Sequence, residues 1–296
     1  MNEPRQQSPV PAVTVVIPFH NPGRYFIPAL QSVFAQSFED WELHLINDCS
    51  TDDSLAFARR IHDPRVYVHS DGQRLGLSKR LNEGARLARA PFLIRMDADD
   101  MMHPLRIESQ LAVLRDCGDN TVLGSACYSI DGESQPIGYR PAPMGHRTGF
   151  AARHSFSHPT VAARTDWFRR NPYSENPVYS RSEDAELWCR TAALSNFQQI
   201  TRPLQFYREV GVFSLPNYLA TGRGLLHLAG EIEQRHLQRT WLQTKECSKM
   251  TIAAVLHLVH ATNLLIYRHF RPLTASEQAD AAAALHRISQ VALPLG

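Results

Sequence analysis

Three acidic clusters stand where the chain leaves an apolar run or enters a helical pattern. Asn47-Asp48-Cys49-Ser50-Thr51-Asp52-Asp53 follows Trp41–Ile46, and Asp97-Ala98-Asp99-Asp100 follows Phe92–Ile94. Ser182-Glu183-Asp184-Ala185-Glu186 opens a later helical stretch. Each cluster can be read as a helix cap, since Ser and Asp satisfy the first N–H groups and acids suit the positive helix start. Their recurrence at successive strand ends points instead to a site. Asp97 and Asp99, one residue apart on a chain leaving a strand, can approach one divalent ion. Hard carboxylate oxygens suit Mg²⁺ or Mn²⁺, which keep waters and bind phosphates as well. Asp48, at the end of a neighbouring strand, can accept a hydrogen bond from a base N–H. The first apolar run leads into Pro18-Phe-His-Asn-Pro-Gly23 and not into G-x-G-x-x-G, and no Gly-Lys-Ser/Thr occurs, which disfavours a dinucleotide fold and a P-loop.

The elements that must carry these groups follow a steady rhythm. Short apolar runs, Val13–Ile17, Trp41–Ile46, Val66–Val68 and Phe92–Ile94, alternate with helical patterns at 25–35, 54–61 and 77–88. That alternation predicts βαβ units on a parallel sheet, with ligands beyond the carboxyl ends of the strands. A helix is expected over 104–115, with Pro104 in its first turn, and a strand over 121–125. Residues 131–150, rich in Gly and Pro, read as a loop. Beyond them come a strand at 159–163, a helix at 184–194, strands at 197–200 and 204–207, and a wholly helical pattern after Pro216.

Composition bounds the classes. The chain has 296 residues, 43% hydrophobic and 20% charged, which is globular and excludes disorder and fibrous repeats. A net charge of +2 gives no reason to expect nucleic acid. No run of eighteen apolar residues predicts a membrane span, and the first residues do not resemble a signal peptide. Five cysteines without a C-x-x-C pair read as reduced thiols of a cytoplasmic protein. The expected organisation is a flexible tail (1–11), an α/β domain (12–215, its halves meeting at 125/126) and a helical C-terminal extension (216–296). Within the extension, residues 249–270 place Ile252, Val255, Leu256, Val259 and Ile266 on one helical face. That face either packs on the domain as core or lies on an anionic inner-membrane surface.

VTVVIPFHNPGRYFIPALQSVFAQSFEDWELHLINDCSTDDS, LGLSKRLNEGARLARAPFLIRMDADDMMHPLRIESQ, HSFSHPTVAAR, SEDAELWCR and LQFYRE follow one another in order over residues 12–210. Together they resemble family 2 glycosyltransferases. The resemblance implies the GT-A fold: a Rossmann-like, mostly parallel α/β sheet flanked by helices. It implies a divalent-metal-dependent enzyme that takes a sugar from a nucleotide-diphospho-sugar and inverts the anomeric centre. By the same resemblance Pro18, Asn21 and Asp48 hold the nucleoside, and Asp97 and Asp99 form the metal motif, Asp99 the direct ligand. Arg74 and Lys79, in the loop and helix start before the fourth strand, either meet the diphosphate or are solvated surface charge. Asp184 becomes the catalytic base and Trp188 a packing residue of its helix. His158, with His154, and Glu183 and Arg208 are weaker candidates on the acceptor or donor side.

Two positions depart from the family pattern: Asn47 replaces the first acid of an Asp-Asp pair, and Val210 stands where relatives carry a His that reaches the metal or diphosphate. The metal is then left to Asp99, diphosphate oxygens and water. Uracil and thymine present the same edge to Asp48, so UDP- and dTDP-sugars are the expected donors. The acceptor implied is a glycan or lipid-linked glycan of cell-surface polysaccharide or lipopolysaccharide synthesis. Two rival readings are a non-catalytic nucleotide-sugar-binding module and a nucleotidyltransferase. The second would need a Gly-rich cationic loop after the first strand, and residues 18–24 carry one Gly and one Arg.

Overall fold

Seven consecutive buried residues, VTVVIPF, make strand β1 (Val13–Phe19) the centre of the structure. The computed structural model describes residues 10–145, 147–209, 214–233, 236–258 and 270–296. β1 pairs in parallel with β2 (Trp41–Asn47) on one side and β4 (Phe92–Arg95) on the other, and β3 (Val66–His69) pairs in parallel outside β2. Helices α1 (Phe26–Phe34), α2 (Ser54–Arg59) and α3 (Leu77–Leu87) make the crossovers. The chain winds outward from β1 to β3 and then returns to the other edge of β1 for β4. That reversal is a topological switch point, and the crevice it opens lies at the strands' carboxyl ends.

The sheet continues as β4-β8-β6-β9-β5. β5 (Met101–Met102) and α4 (Arg106–Leu114) lead to β6 (Thr121–Ile130), β7 (Pro136–Arg140), β8 (Ala162–Arg164) and helix α5 (Thr165–Arg170). Helix α6 (Glu183–Thr191) and β9 (Asn196–Arg208) follow. β8 runs antiparallel to both β4 and β6, whereas β6 and β9 are parallel to each other.

The expected four-strand parallel core is present with its boundaries within two residues. Two expectations need correction, and one element is new. Residues 131–150 are not all loop, because β7 pairs antiparallel with β6. Arg140 and Tyr139 of this strand face polar partners, so no apolar alternation announces it. The two strands expected at 197–207 are one strand, broken only by register shifts against β6 near Ser125–Cys127. The short helix α5 was not expected at all.

Alternate residues of β1 feed two cores on opposite faces, as a two-residue side-chain period requires. Val15 and Ile17 pack under α1 and α4. Val16 packs with α3, α5 and α6, where Trp167 and Trp188 are fully buried. Helices α7 (Leu215–Ile232), α8 (His236–Leu258) and α9 (Ala275–Ser289) follow. A capping box between Thr274 and Glu277 starts α9. Its Ala281, Ala284 and Ile288 then return to the sheet against Met101, Tyr128 and Phe206. α7 packs on the start of α6: a Cβ at Gly224 would collide with Ser182. Val210, Val259 and Ile266 lie outside the described residues, as does the tail at 1–9. Among the described residues no helix is long and apolar enough to cross a membrane.

Gly84 sets how closely α3 lies on the sheet, because a Cβ there would fall inside contact distance of Val16 and 3.1 Å from Ile46 Cδ1. Val16 is β-branched and fully buried, so it cannot swing aside. Gly84→Ala should therefore lower the urea midpoint by an amount equivalent to about 1–3 kcal/mol, although alanine is the better helix former. A raised midpoint at unchanged m-value would show that α3 has room.

Candidate active site

β4 ends on Arg95, a fully buried guanidinium in an otherwise apolar strand. Its carbonyl accepts a hydrogen bond from Arg106 Nη2 at 2.9 Å, and its own Nη1 and Nη2 both reach the carboxylate of Asp97. Asp97 is thereby fixed at the lip of the switch-point crevice, one third exposed.

Across the crevice stands the start of α6. Glu183 is buried and Asp184 half-buried, and both line a cavity of 420 Å³ that also takes in Asp97, His158, Arg140, Arg181 and Tyr207. Asp97, His158, Glu183 and Asp184, chosen from sequence, are thus brought together. His158 Nε2 sits 2.8 Å from Tyr173 Oη, and its Nδ1 lies 4.0 Å from Glu183 Oε1. Trp188 is buried against Phe156, Trp167 and Phe197 and anchors α6 to the domain, as expected. Glu186 points away and pairs with Arg190 at 2.6 Å.

Burial governs the ionisation of these groups. It pushes Glu183 up to about 7, helped by the adjacent Asp184 carboxylate and opposed by Arg95. Asp184 is also raised by burial, against the pull of the Ala185 N–H and of Arg95. A helix start by itself would hold Asp184 low, but here desolvation outweighs the helix. Burial, with Arg95 nearby, drives His158 well below its usual range, so the ring is neutral.

The turn Asp97–Asp100 is held from below by Arg208. The Arg208 backbone N–H donates to Asp100 Oδ1 at 2.9 Å and its Nε to the Asp99 carbonyl at 2.7 Å. Nη1 and Nη2 bind Asp131 O and Ser134 Oγ, and the guanidinium lies 4.2 Å from the Tyr25 ring centre. Arg208 is therefore fully engaged in shaping the turn. The Asp99 carboxylate receives no hydrogen bond from another described residue, and burial with the nearby Asp97 raises its pKa. Two neighbouring hard-oxygen groups, Asp97 held by Arg95 and Asp99 without a donor from another described residue, fit a divalent cation. Among the described residues no three His, Cys, Asp or Glu side chains close around such an ion. A cation held there would need oxygens of a ligand to complete its coordination.

The nucleoside-side candidates form a second network. Asp48 accepts from the N–H groups of Leu75 and Gly76 at 2.7 and 3.1 Å and from Arg80 Nε at 3.0 Å. Arg80 is buried and also binds Asp71 and Glu83. The amide of Asn21 is spent on the 50–52 loop, accepting from the Thr51 N–H at 2.7 Å and the Asp52 N–H at 3.2 Å. Asn21 and Cys49 both hold positive φ, so these two loops are tightly turned. Pro18 is buried in β1 past the last residue paired with β4, so its missing N–H leaves no ladder bond unmade. Arg74 is exposed and Lys79 half-exposed, and neither lines the cavity. Sequence reading missed Arg95, Arg80, Arg140 and Tyr207. The first two had a signal: each is a lone cation inside an apolar strand or on the apolar stripe of a helix.

Residues 14–175 match glycosyl transferase family 2. The chain belongs to that family. Among related sequences, the putative glycosyltransferase EpsE of Bacillus subtilis is 29% identical over 185 residues, which are 61% of this chain and 66% of EpsE. The putative colanic acid biosynthesis glycosyl transferase WcaA of Escherichia coli is 28% identical over 145 residues, 46% of this chain and 52% of WcaA. The chain thus spans a little less than two thirds of the first of these family 2 relatives. Staphylococcus aureus TarS 1–349 in complex with UDP superposes with a TM-score of 0.57 at 16% identity, covering 93% of this chain and 79% of TarS. The Pyrobaculum calidifontis mannosyltransferase PcManGT, in complex with GDP-Man and Mn²⁺, gives 0.56 at 15%, covering 95% of this chain and 87% of PcManGT. These likenesses establish the GT-A fold with its helices after the sheet.

Because Glu183 moves from an ordinary 4.5 to about 7, the folded protein holds a proton there that the unfolded chain releases. Between those values the native state binds more protons, so this group's contribution to stability falls as pH rises through the window. Glu183→Gln should flatten the decline of melting temperature between about pH 5 and pH 7. An unchanged slope in the variant would assign the decline to other groups.

Proposed function

We propose that this family 2 protein is an inverting glycosyltransferase that moves a sugar from a UDP- or dTDP-sugar to a hydroxyl of a glycan or lipid-linked glycan. One observation carries the reading. Asp97 from β4 and the Glu183–Asp184 pair from α6 face each other across a single cavity at the carboxyl ends of parallel strands. TarS with UDP and PcManGT with GDP-Man share the fold and support a nucleotide-linked donor in that crevice. EpsE and WcaA support a role in cell-surface polysaccharide synthesis. The cysteines are free, which suits a reducing cytoplasm.

In this reading the β1 and β2 ends form the nucleoside shelf. Pro18 and Asn21 fix its floor, and Asp48, through Leu75, Gly76 and Arg80, fixes its wall. Arg74 and Lys79, which make no ion pair among the described residues, are available to the diphosphate. Asp184, more exposed to the cavity than Glu183, takes the proton of the acceptor hydroxyl. The oxygen then forms its bond to the anomeric carbon from the face opposite the diphosphate, and the breaking C–O bond leaves its electron pair on the departing phosphate. Glu183, beside it and raised to about 7, holds its proton below neutrality and there spares the site a second buried charge. Asp99, with Asp97, would hold Mg²⁺ or Mn²⁺, which when bound neutralises charge on the diphosphate.

Asp184→Asn keeps the shape and much of the capping ability of the residue. It should bind donor with near-native affinity, by calorimetry, while transferring sugar at least about 100-fold more slowly. A near-native rate would make Asp184 a helix cap. A wild-type protein that binds UDP- or dTDP-sugars but never releases nucleoside diphosphate would be a binding module.

The carboxylate pair at 97–99 makes a second demand. EDTA should abolish turnover and Mn²⁺ or Mg²⁺ restore it, while Asp99→Asn should lose the metal-dependent part of donor binding. Full turnover in chelator would remove the metal from the reaction.

A further inference from the structure

Helix α8 turns one side to the protein and leaves the other bare. Glu246 and Ala253 are buried, and Met250 fills the space over Gly222 of α7. On the opposite side Leu237 is 85% exposed, Trp241 60%, Ile252 54% and Val255 52%. At 3.6 residues per turn these four, with Thr244 and Ser248 between them, follow one ridge along the helix. The core reading of this face is therefore not what the structure shows: its apolar residues at 252 and 255 point to solvent.

Charge says what covers it. The chain uses Arg 28 times and Lys three times, yet two of the three lysines, Lys245 and Lys249, stand along one edge of this ridge. Lys245 Nζ lies 5.1 Å from the Trp241 ring centre. The helix has one acid, Glu246, which is buried and paired with Lys249 at 2.8 Å. The exposed arc thus combines apolar side chains, a tryptophan and, at Lys245, a positive charge with no acidic partner on the helix, while Lys249 offsets Glu246 and leaves no exposed carboxylate there. A protein partner of ordinary charge would not need that combination. A bilayer interface with anionic headgroups uses all three parts: an apolar layer to enter, a boundary for the indole and negative charge for the lysines.

We propose that the α8 face docks this protein in the plane of an anionic lipid surface. The docking fixes the orientation of the active site, because the α7–α8 hairpin is joined to the segment that carries the carboxylate pair. Gly224 lies against Ser182, Thr221 Oγ1 donates to the Arg181 carbonyl at 3.2 Å, and Tyr179 donates to Glu231. An acceptor anchored in lipid would then meet Glu183 and Asp184 from a constant side.

The full chain should float with phosphatidylcholine vesicles that contain phosphatidylglycerol, and much less with phosphatidylcholine alone or at high salt. Lys245→Glu and Trp241→Ala, both on exposed positions, should each weaken partitioning about fivefold or more while circular dichroism and melting stay native. No flotation of the wild type at low salt, or equal flotation of all three proteins, overturns the proposal. So does an Ile252→Asp variant that turns a dimer into a monomer while floating as well as wild type, because the face would then pair two copies. The readout needs no substrate, so it stands or falls separately from the proposed transfer.

Discussion

The site depends on burying positive charge beneath negative charge. Asp97, Asp99, Asp100, Glu183 and Asp184 are gathered within two short segments, Asp100 and Glu183 out of water and the other three half-buried. An isolated carboxylate in such surroundings is strongly disfavoured, and several together repel. The compensation is structural and comes from below: Arg95 at the end of β4 and Arg208 at the end of β9, both buried. Each guanidinium holds several oxygens at once, a task its planar fork performs and a lysine ammonium does not. The compensation is incomplete: burial raises the pKa values of Asp99, Glu183 and Asp184 despite the pull of the guanidinium groups. That remainder is what a cation, or a proton moving from an acceptor, can use.

The scaffold follows from this requirement. Asp97 must lie at a switch point, so β4 returns to the near edge of β1. Asp100 must be held, so β9 ends opposite the turn and offers both its backbone N–H at Arg208 and the Gln205 side chain. The second wall needs a rigid helix start, which comes from α6 wedged into the aromatic group of Trp188, Trp167 and Phe156. On the nucleoside side the same device recurs: Arg80 is buried among Asp48, Asp71 and Glu83 and fixes the loop before α3.

The parts legible in sequence were those whose physics is local. β1 to β4 show buried, β-branched runs, and the acidic clusters at their ends are visible without any fold. β7 and α5 were not legible, because β7 earns its place by pairing with β6 and its own residues are half-exposed. The ionisation of Asp184 is hidden from the sequence for a related reason. A helix start is a property of five residues, whereas desolvation is a property of everything packed around them. Asn21 and Arg208 were picked as ligand-facing, yet their polar atoms are taken by neighbouring loops. Type and position identified them as important to the site without revealing that they shape it from behind.

Two adjacent carboxylates on one helix start invite the question of why the chain keeps both. Their exposures differ: Glu183 is buried and has an oxygen without a partner, while Asp184 opens onto the cavity. Were both ionised, the pair would carry two charges where Arg95 already answers to Asp97. With Glu183 raised to about 7, one of the two is largely protonated at mildly acidic pH and titrates near neutrality. The burial of Glu183 then keeps its charge from adding to that of Asp184, and Asp184 can ionise without a like charge at full strength beside it. The same burial keeps His158 neutral, so the ring, bound to Tyr173 and 4.0 Å from Glu183, adds no positive charge that would lower the Glu183 carboxyl further. In the proposed transfer, the asymmetry of this pair, set by which side chain faces water, is what gives a dense acidic site a single base.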